Sequence, residues 1–514
     1  MTLHGQSYIA GRPLASTGAT FRAINPATNA ELAPDFRQAT LAEAGAALEA
    51  AASAFKVFRQ RSSAERAQLL ETIATNVEAI GDAVITRAQE ETALPVARLQ
   101  GERARTCNQL RQFARLVHEG SWVDARIDRA DRQRQPLPKP DVRRMLIPLG
   151  PVVVFGSSNF PFAFSVAGGD TASALAAGCP VVVKAHRAHP GTSELVAEAI
   201  TRAVRSAGLP GGLFSLVHGG GESVGIAMVK HPATAAVGFT GSYTAGRALF
   251  DAAAARPRPI PVFAEMSSLN PTFLLPEALR ERGAAIAQGL FTSFTLGAGQ
   301  FCTKPGLVFA LRSSETDAFL AALTTTVTQA GTATMLTPSI HHTFLEHRKT
   351  ITTTRGVTVL ATGAGEAPNA CAPQIAVTSA SNFLQQRELA MEAFGPFALL
   401  ILAESPAELE GCAQSLDGQL TATLHGTATD FARASGLLSV LQQRAGRLVF
   451  NGFPTGVEVC AAMHHGGPFP ATTDARFTSV GTAAILRFAR PVCYQDCPEP
   501  LLPPELRDAN PRSL

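Results

Sequence analysis

Between residues 151 and 265 of this 514-residue chain, five short apolar runs each end in a polar or glycine-rich segment. Pro151–Phe155 ends at Gly156, Val181–Val183 ends at Lys184, and Leu213–Val217 runs into Gly219, Gly220 and Gly221. Ala235–Phe239 runs into Thr240 and Gly241, and Pro261–Ala264 into Glu265. Helical segments are predicted between them, over 163–176, 191–207, 222–229 and 242–255. A strand that is apolar throughout has to be covered on both faces. The alternation therefore predicts an α/β fold with a parallel sheet between helical layers. Such sheets bind ligands beyond the carboxyl ends of their strands. The residues there are Gly156–Asn159, Lys184–Arg187, Gly219–Gly221, Thr240–Gly246 and Glu265.

The flanking segments read differently. Residues 7–35 predict one or two β-hairpins, and 41–58 and 62–89 carry helical periodicity. The stretch 126–146 holds seven Lys/Arg, three Asp and three Pro, which fits an extended arm or edge strand better than a phosphate-binding tract. A second α/β stretch spans about 270–470, with strands near Thr272–Leu275, Leu307–Ala310, Ala398–Leu402 and Leu448–Phe450. Periodicity over 322–380 is too poor to place elements. From Ser479 to Val492 alternation at Val480, Ala484, Leu486 and Phe488 predicts a strand that joins 126–146 in pairing between subunits. Five prolines from Pro498 to Leu514 predict surface coil.

This length exceeds one hydrophobic core, so two or three units are expected. A net charge of +3 is too small to imply a nucleic-acid partner. The eight cysteines form no paired CxxC framework, and Cys493 and Cys497 lack a second ligand pair, so no metal site is expected. No apolar stretch reaches the ~18 residues of a membrane span. The N-terminus shows no charged region followed by an apolar run, so reduced thiols and a cytoplasmic location are expected.

Cys302 stands in Gly299-Gln300-Phe301-Cys302-Thr303-Lys304-Pro305-Gly306, just after the glycine-broken apolar run Leu290–Gly297. Such a segment can end a helix and present a thiol on a turn, where N–H dipoles favour the thiolate. The plain alternative is one more buried cysteine. Four further motifs accompany it. Ser158-Asn159-Phe160-Pro161 follows the first strand, and Gly241-Ser242-Tyr243-Thr244-Ala245-Gly246 the fourth. Phe263-Ala264-Glu265-Met266-Ser267-Ser268-Leu269-Asn270-Pro271 spans the end of the fifth, and Glu392-Ala393-Phe394-Gly395-Pro396 lies downstream of the cysteine.

In this order and spacing the motifs resemble the NAD(P)-dependent aldehyde dehydrogenase superfamily, from Ile24-Asn25-Pro26-Ala27-Thr28 to His465-Gly466-Gly467-Pro468. The resemblance implies a Rossmann-type cofactor unit over 1–125 and 147–263 and an α/β catalytic unit over 264–472. It further implies a β-strand oligomerisation arm over 126–146 and 473–497, with 498–514 as a tail, in a homodimer or homotetramer. Cys302 would attack the aldehyde, Asn159 would donate to the oxyanion, and Glu265 would activate the water that hydrolyses the thioester. A helix-capping Asn159 and a Glu265 on a solvated loop are the structural alternatives. Lys184, Gly241, Ser242, Gly246, Glu392 and Phe394 would hold the cofactor, with Lys184 close to the chemistry. Phe160, Phe164, Phe301, Phe453 and His465 match positions that line the substrate mouth.

Two departures narrow the reading. The family commonly carries Lys-Pro-Ser/Ala-Glu, with the glutamate on the adenine-ribose hydroxyls, whereas this chain reads Lys184-Ala185-His186-Arg187. A cation there suits a 2′-phosphate, with His186 or the hydroxyls of Thr192 and Ser193 assisting, so NADP is expected, with NAD as the alternative. The run from Gly467 to Gly481 resembles the branch of bacterial α-ketoglutarate semialdehyde dehydrogenases and an NADP-linked fatty-aldehyde dehydrogenase. Oxidation of 2,5-dioxopentanoate to 2-oxoglutarate is the expected reaction. A long-chain aldehyde dehydrogenase is the alternative, followed by a cysteine hydrolase using Cys302 and His465 and by an inactive binding protein.

Overall fold

The structure is a computed structural model in which residues 3–509 are described. The five apolar runs form the parallel strands Val152–Phe155, Val181–Lys184, Phe214–Val217, Ala236–Thr240 and Val262–Glu265. In space their order is Val262–Glu265, Ala236–Thr240, Val152–Phe155, Val181–Lys184, Phe214–Val217, and the antiparallel hairpin Ser7–Ile9/Arg12–Leu14 closes the far edge. The order reverses between Val152–Phe155 and Ala236–Thr240, which opens a crevice at their carboxyl ends. Helices Pro190–Ser206 and Tyr243–Ala254 lie close to the predicted limits. The first predicted helix starts later, at Gly169. Phe162 N and Ala163 N donate to Glu102 Oε1 (2.8 and 3.0 Å), which holds the chain in a turn there.

A second seven-stranded sheet, parallel except at one edge, runs Thr358–Thr362, Gln374–Ser379, Phe397–Ala403, Leu307–Leu311, Thr272–Leu274, Gln419–His425, Ala445–Phe450. Its core is distinct from that of the first sheet. The third sheet pairs Ala489–Gln495 with Val142–Pro148 and Val142–Pro148 with Arg126–Asp128, as an arm. Two predictions for the C-terminal region need correction. The alternation from Val480 to Phe488 belongs mostly to a 3₁₀ helix, Thr482–Phe488, whose Ala484, Ile485 and Phe488 are buried, and the strand begins only at Ala489. The tail is not free coil, because Leu502 and Leu506 are buried in the first core; residues 510–514 lie outside the described part. Among the described residues no helix is long and apolar enough to cross a membrane.

Candidate active site

Helix Pro276–Thr295 ends just before Cys302. Gly297, Ala298 and Gly299 then take successive left-handed conformations (φ 58°, 56° and 68°), which turns the chain sharply. Gly299 is required as glycine, since a Cβ there would lie 2.3 Å from the carbonyl carbon and oxygen of Gly395. That close approach sets the cysteine loop against the segment Glu392–Pro396. Asn270 buttresses the loop from below: its Nδ2 donates to the carbonyls of Cys302 (2.8 Å) and Lys304 (3.1 Å). Asn159 is buried, and its Nδ2 donates to Gln300 O at 3.0 Å, so it braces this loop rather than capping a helix. One of its two amide hydrogens remains for another acceptor.

Around the half-buried Cys302, three side chains converge. His465 Nε2 lies 3.5 Å from Cys302 Sγ and 3.0 Å from Glu265 Oε1. Ser479 Oγ donates to Glu265 Oε2 at 2.6 Å. Glu265 is 3% exposed at the end of its strand, which excludes the solvated-loop alternative. The segment carrying His465 and Ser479 is stitched to that strand, with Met266 N donating to Ala471 O (2.8 Å) and Thr473 N to Ala264 O (3.1 Å). A carboxylate can only accept, so the contact with Glu265 requires the proton on His465 Nε2. Burial pushes the Cys302 thiol well above its usual range, and the Glu265 charge adds to the rise. Burial also pushes Glu265 up, but the His465 interaction and hydrogen bonds from His465, Ser479 and Cys302 outweigh it, and the net shift is downward. At rest the site therefore holds a carboxylate beside a protonated thiol. Ligand atoms of Glu265, Cys302 and His465 lie within 4.8 Å of one another, a spacing a metal ion would also accept.

The residues expected to line the substrate mouth divide. Phe160 packs edge-on against Phe164 and Phe301, at 5.3 Å between centroids in each case, and Phe164 lies 6.4 Å from the His465 ring. Phe453 does not join them. It packs on His425 (4.8 Å) in a different core cluster. Sequence reasoning missed two arginines here, on helix Val96–Glu119. Arg98 lies over Phe160 and Phe301, and Arg105 over Phe164.

At the crevice, helix Tyr243–Ala254 opens at the exposed N-cap Ser242, whose side chain accepts from Ala245 N, and its first turn has no acidic residue. A Cβ on Gly246 would lie 2.7 Å from Met266 Cγ and Sδ, so only glycine keeps the helix start against the sheet. Gly241 N donates to Glu265 O (3.0 Å), tying the glycine loop to the strand that ends at Glu265. Exposed N–H groups at a helix start with no acid beside them fit a pyrophosphate. Lys184 is buried, its ammonium has no hydrogen bond or ion pair to a described residue, and burial, then Arg187, lowers its pKa to about 8. Glu392 is half-buried; burial raises its pKa against a hydrogen bond from Ser267 and the charge of Lys304. Lys304 Nζ donates to Ala393 O (3.1 Å) and Phe397 O (2.9 Å), which fixes the loop presenting Phe394.

Arg187 is exposed at the crevice rim, its guanidinium 5.0 Å from the Phe21 ring centroid. The other expected phosphate partners fall away. His186 stacks on His189, its Nδ1 accepts from Ala188 N (3.1 Å), and burial drives its pKa far down, so it carries no charge. Thr192 and Ser193 are buried and already bonded, Thr192 Oγ1 to Glu91 Oε2 (2.8 Å) and Ser193 Oγ to His189 O (2.9 Å).

A model of the aldehyde dehydrogenase family matches residues 14–468. The chain is 50% identical to alpha-ketoglutaric semialdehyde dehydrogenase 2 of Azospirillum brasilense, covering 100% of this chain and 98% of that protein. It is 45% identical to alpha-ketoglutaric semialdehyde dehydrogenase of Acinetobacter baylyi, covering 99% and 97%. In fold it matches betaine aldehyde dehydrogenase from Staphylococcus aureus in complex with NAD⁺, with a TM-score of 0.82 at 19% identity over 96% of each chain.

Proposed function

Because the chain belongs to the aldehyde dehydrogenase family, we propose that it oxidises 2,5-dioxopentanoate to 2-oxoglutarate and prefers NADP. The full-length identity of 45–50% to two enzymes named for this semialdehyde carries the substrate reading. The cofactor reading rests on Arg187, a cation at the position where the family commonly has a ribose-binding glutamate.

The site geometry supports the following roles. Cys302 attacks the aldehyde carbon as its thiolate, the thiol proton having passed to bulk water, and the free amide hydrogen of Asn159 meets the developing oxyanion, with the Cys302 N–H as a second donor. One such donor is worth ~3–4 kcal/mol at the transition state. A nicotinamide held in the crevice would supply the hydride acceptor needed for oxidation to the thioester. Glu265, held ionised by His465 and Ser479, takes a proton from the attacking water. His465, the base expected for Cys302 in a hydrolase, instead donates its Nε2–H to Glu265 in this reading. The helix start at Ser242–Gly246 would hold the pyrophosphate, Lys184 and Glu392 the ribose hydroxyls, and Phe394 the ring. Residues 1–125 and 147–263 would form the cofactor unit and 264–472 the catalytic unit.

A screen of 2,5-dioxopentanoate, short uncharged aldehydes and long-chain aldehydes against NADP and NAD, followed at 340 nm, tests this. We expect 2,5-dioxopentanoate to give the highest kcat/KM and NADP to exceed NAD by roughly tenfold, the factor that ~1.4 kcal/mol produces. Arg187→Glu should reverse the cofactor order, since it repels the phosphate and restores an acceptor for the ribose hydroxyls. Higher kcat/KM with long-chain aldehydes would overturn the substrate reading. An unchanged cofactor ratio in Arg187→Glu would overturn the role of that residue.

A further inference from the structure

We propose that Arg105 recognises the carboxylate of the substrate, as the specificity-determining cation of the mouth. The inference rests on the reading that the substrate is a short aldehyde ending in a carboxylate. Helix Val96–Glu119 flanks the mouth and is fixed to it by Glu102, whose Oε1 accepts from Phe162 N and Ala163 N. Three arginines approach the site, and two are already engaged. Arg98 donates to Asn159 O (2.8 Å) and covers Phe160 and Phe301. Arg447 donates to Pro454 O (2.6 Å) and Gly456 O (3.2 Å), holding that loop.

Arg105 differs. Its guanidinium lies 5.5 Å from the centroid of Phe164, the ring that itself faces His465. It has no hydrogen bond or ion pair to any described residue, and its Nε is buried without a partner. Burial lowers its pKa, opposed by the charges of Glu102, Cys302, Glu265 and Glu458, which places it within electrostatic reach of the reacting thiol. A guanidinium stays charged at any working pH, so a half-buried one lacking an acceptor is destabilising until an anion arrives. The chain of 2,5-dioxopentanoate, with its aldehyde carbon at Cys302, would run along Phe164 and bring its carboxylate toward this fork, which can bind it bidentately. An alkyl chain would leave the cation unpaired, so the same feature selects against long-chain aldehydes.

The test compares kcat/KM for 2,5-dioxopentanoate and for pentanal in wild type, Arg105→Met and Arg105→Lys, with thermal unfolding and NADP affinity measured for each. Truncating one partner of a desolvated charge pair leads us to expect Arg105→Met to lose ~30-fold or more on the semialdehyde, chiefly in KM. Pentanal should change no more than a few-fold, and Arg105→Lys should recover part of the loss. Equal losses on both aldehydes, or an unchanged preference for the semialdehyde, would overturn the role of Arg105 while leaving the substrate reading intact. A wild type that prefers pentanal would overturn that reading first, and the proposal with it.

Discussion

The Glu265 charge opposes ionisation of Cys302, and the opposition has a measurable sign. The thiol is raised by burial and by the Glu265 charge, so its thiolate fraction at neutral pH is small and grows as pH rises. Alkylation of cofactor-free enzyme by iodoacetamide should therefore still be accelerating between pH 7 and 9, without a plateau, and should vanish at this site in Cys302→Ala. Removing the charge in Glu265→Gln lowers the thiol pKa. Alkylation at fixed pH should then become faster, by roughly tenfold if the interaction is worth ~1.4 kcal/mol. Aldehyde turnover should move the other way, falling ~10²–10⁴-fold with loss of the base. Slower alkylation in Glu265→Gln would mean that the carboxylate chiefly removes the thiol proton, and the division of labour proposed above would be wrong.

At the scale of elements, the cysteine loop depends on backbone that only glycine permits. Gly299 combines a φ of 68° with a Cβ position 2.3 Å from Gly395 backbone atoms. Gly299→Ala should cost at least ~2 kcal/mol of stability, from left-handed strain together with displaced backbone, and lower kcat/KM by more than tenfold. Gly101→Ala is the matched control. It lies exposed in helix Val96–Glu119 with nothing within 4 Å of a new Cβ, so it should gain up to ~1 kcal/mol and leave turnover unchanged. Equal effects of the two substitutions on urea unfolding would sink the argument. The same contrast explains what the sequence made legible. Apolar runs such as Val152–Phe155 announce buried strands because composition alone sets their burial. Gln419–His425 escaped, although every residue of it is buried, because Gln419, Thr421 and Thr423 break its apolar run. Gln419 belongs there because its Oε1 accepts from Leu269 N (2.7 Å) and Asn270 N (3.2 Å), contacts 149 or more residues apart in sequence. Cys302, Glu265 and Asn159 were readable from motifs, and Ser479 stood unassigned within a quoted run. Arg105 carried no local signal, since helical periodicity does not say that a charged residue faces an aromatic wall.

For the whole molecule, the site exists only where the two large sheets meet: Glu265 ends a strand of the first, while Cys302 precedes one of the second. The arm has a different character. Strand Ala489–Gln495 is bonded along one side to Val142–Pro148 and offers its other side unpaired among the described residues. Large apolar side chains are exposed on or near the arm: Ile127 at 39%, Leu137 at 69% and Leu501 at 72%. An open edge with exposed apolar groups is unfavourable in water and is stabilised by a second copy that covers both. We therefore expect sedimentation at micromolar concentration to give a mass that is a multiple of 53.8 kDa, two- or fourfold. Ile127→Asp combined with Leu137→Asp places charge on that apolar surface and should shift the mass toward 53.8 kDa. Neither position has a role proposed at Cys302, so the dissociated protein should keep its first-turnover chemistry even if its thermal stability falls. A wild type already sedimenting at 53.8 kDa, or a double variant with unchanged mass, would show that the arm does not hold subunits together.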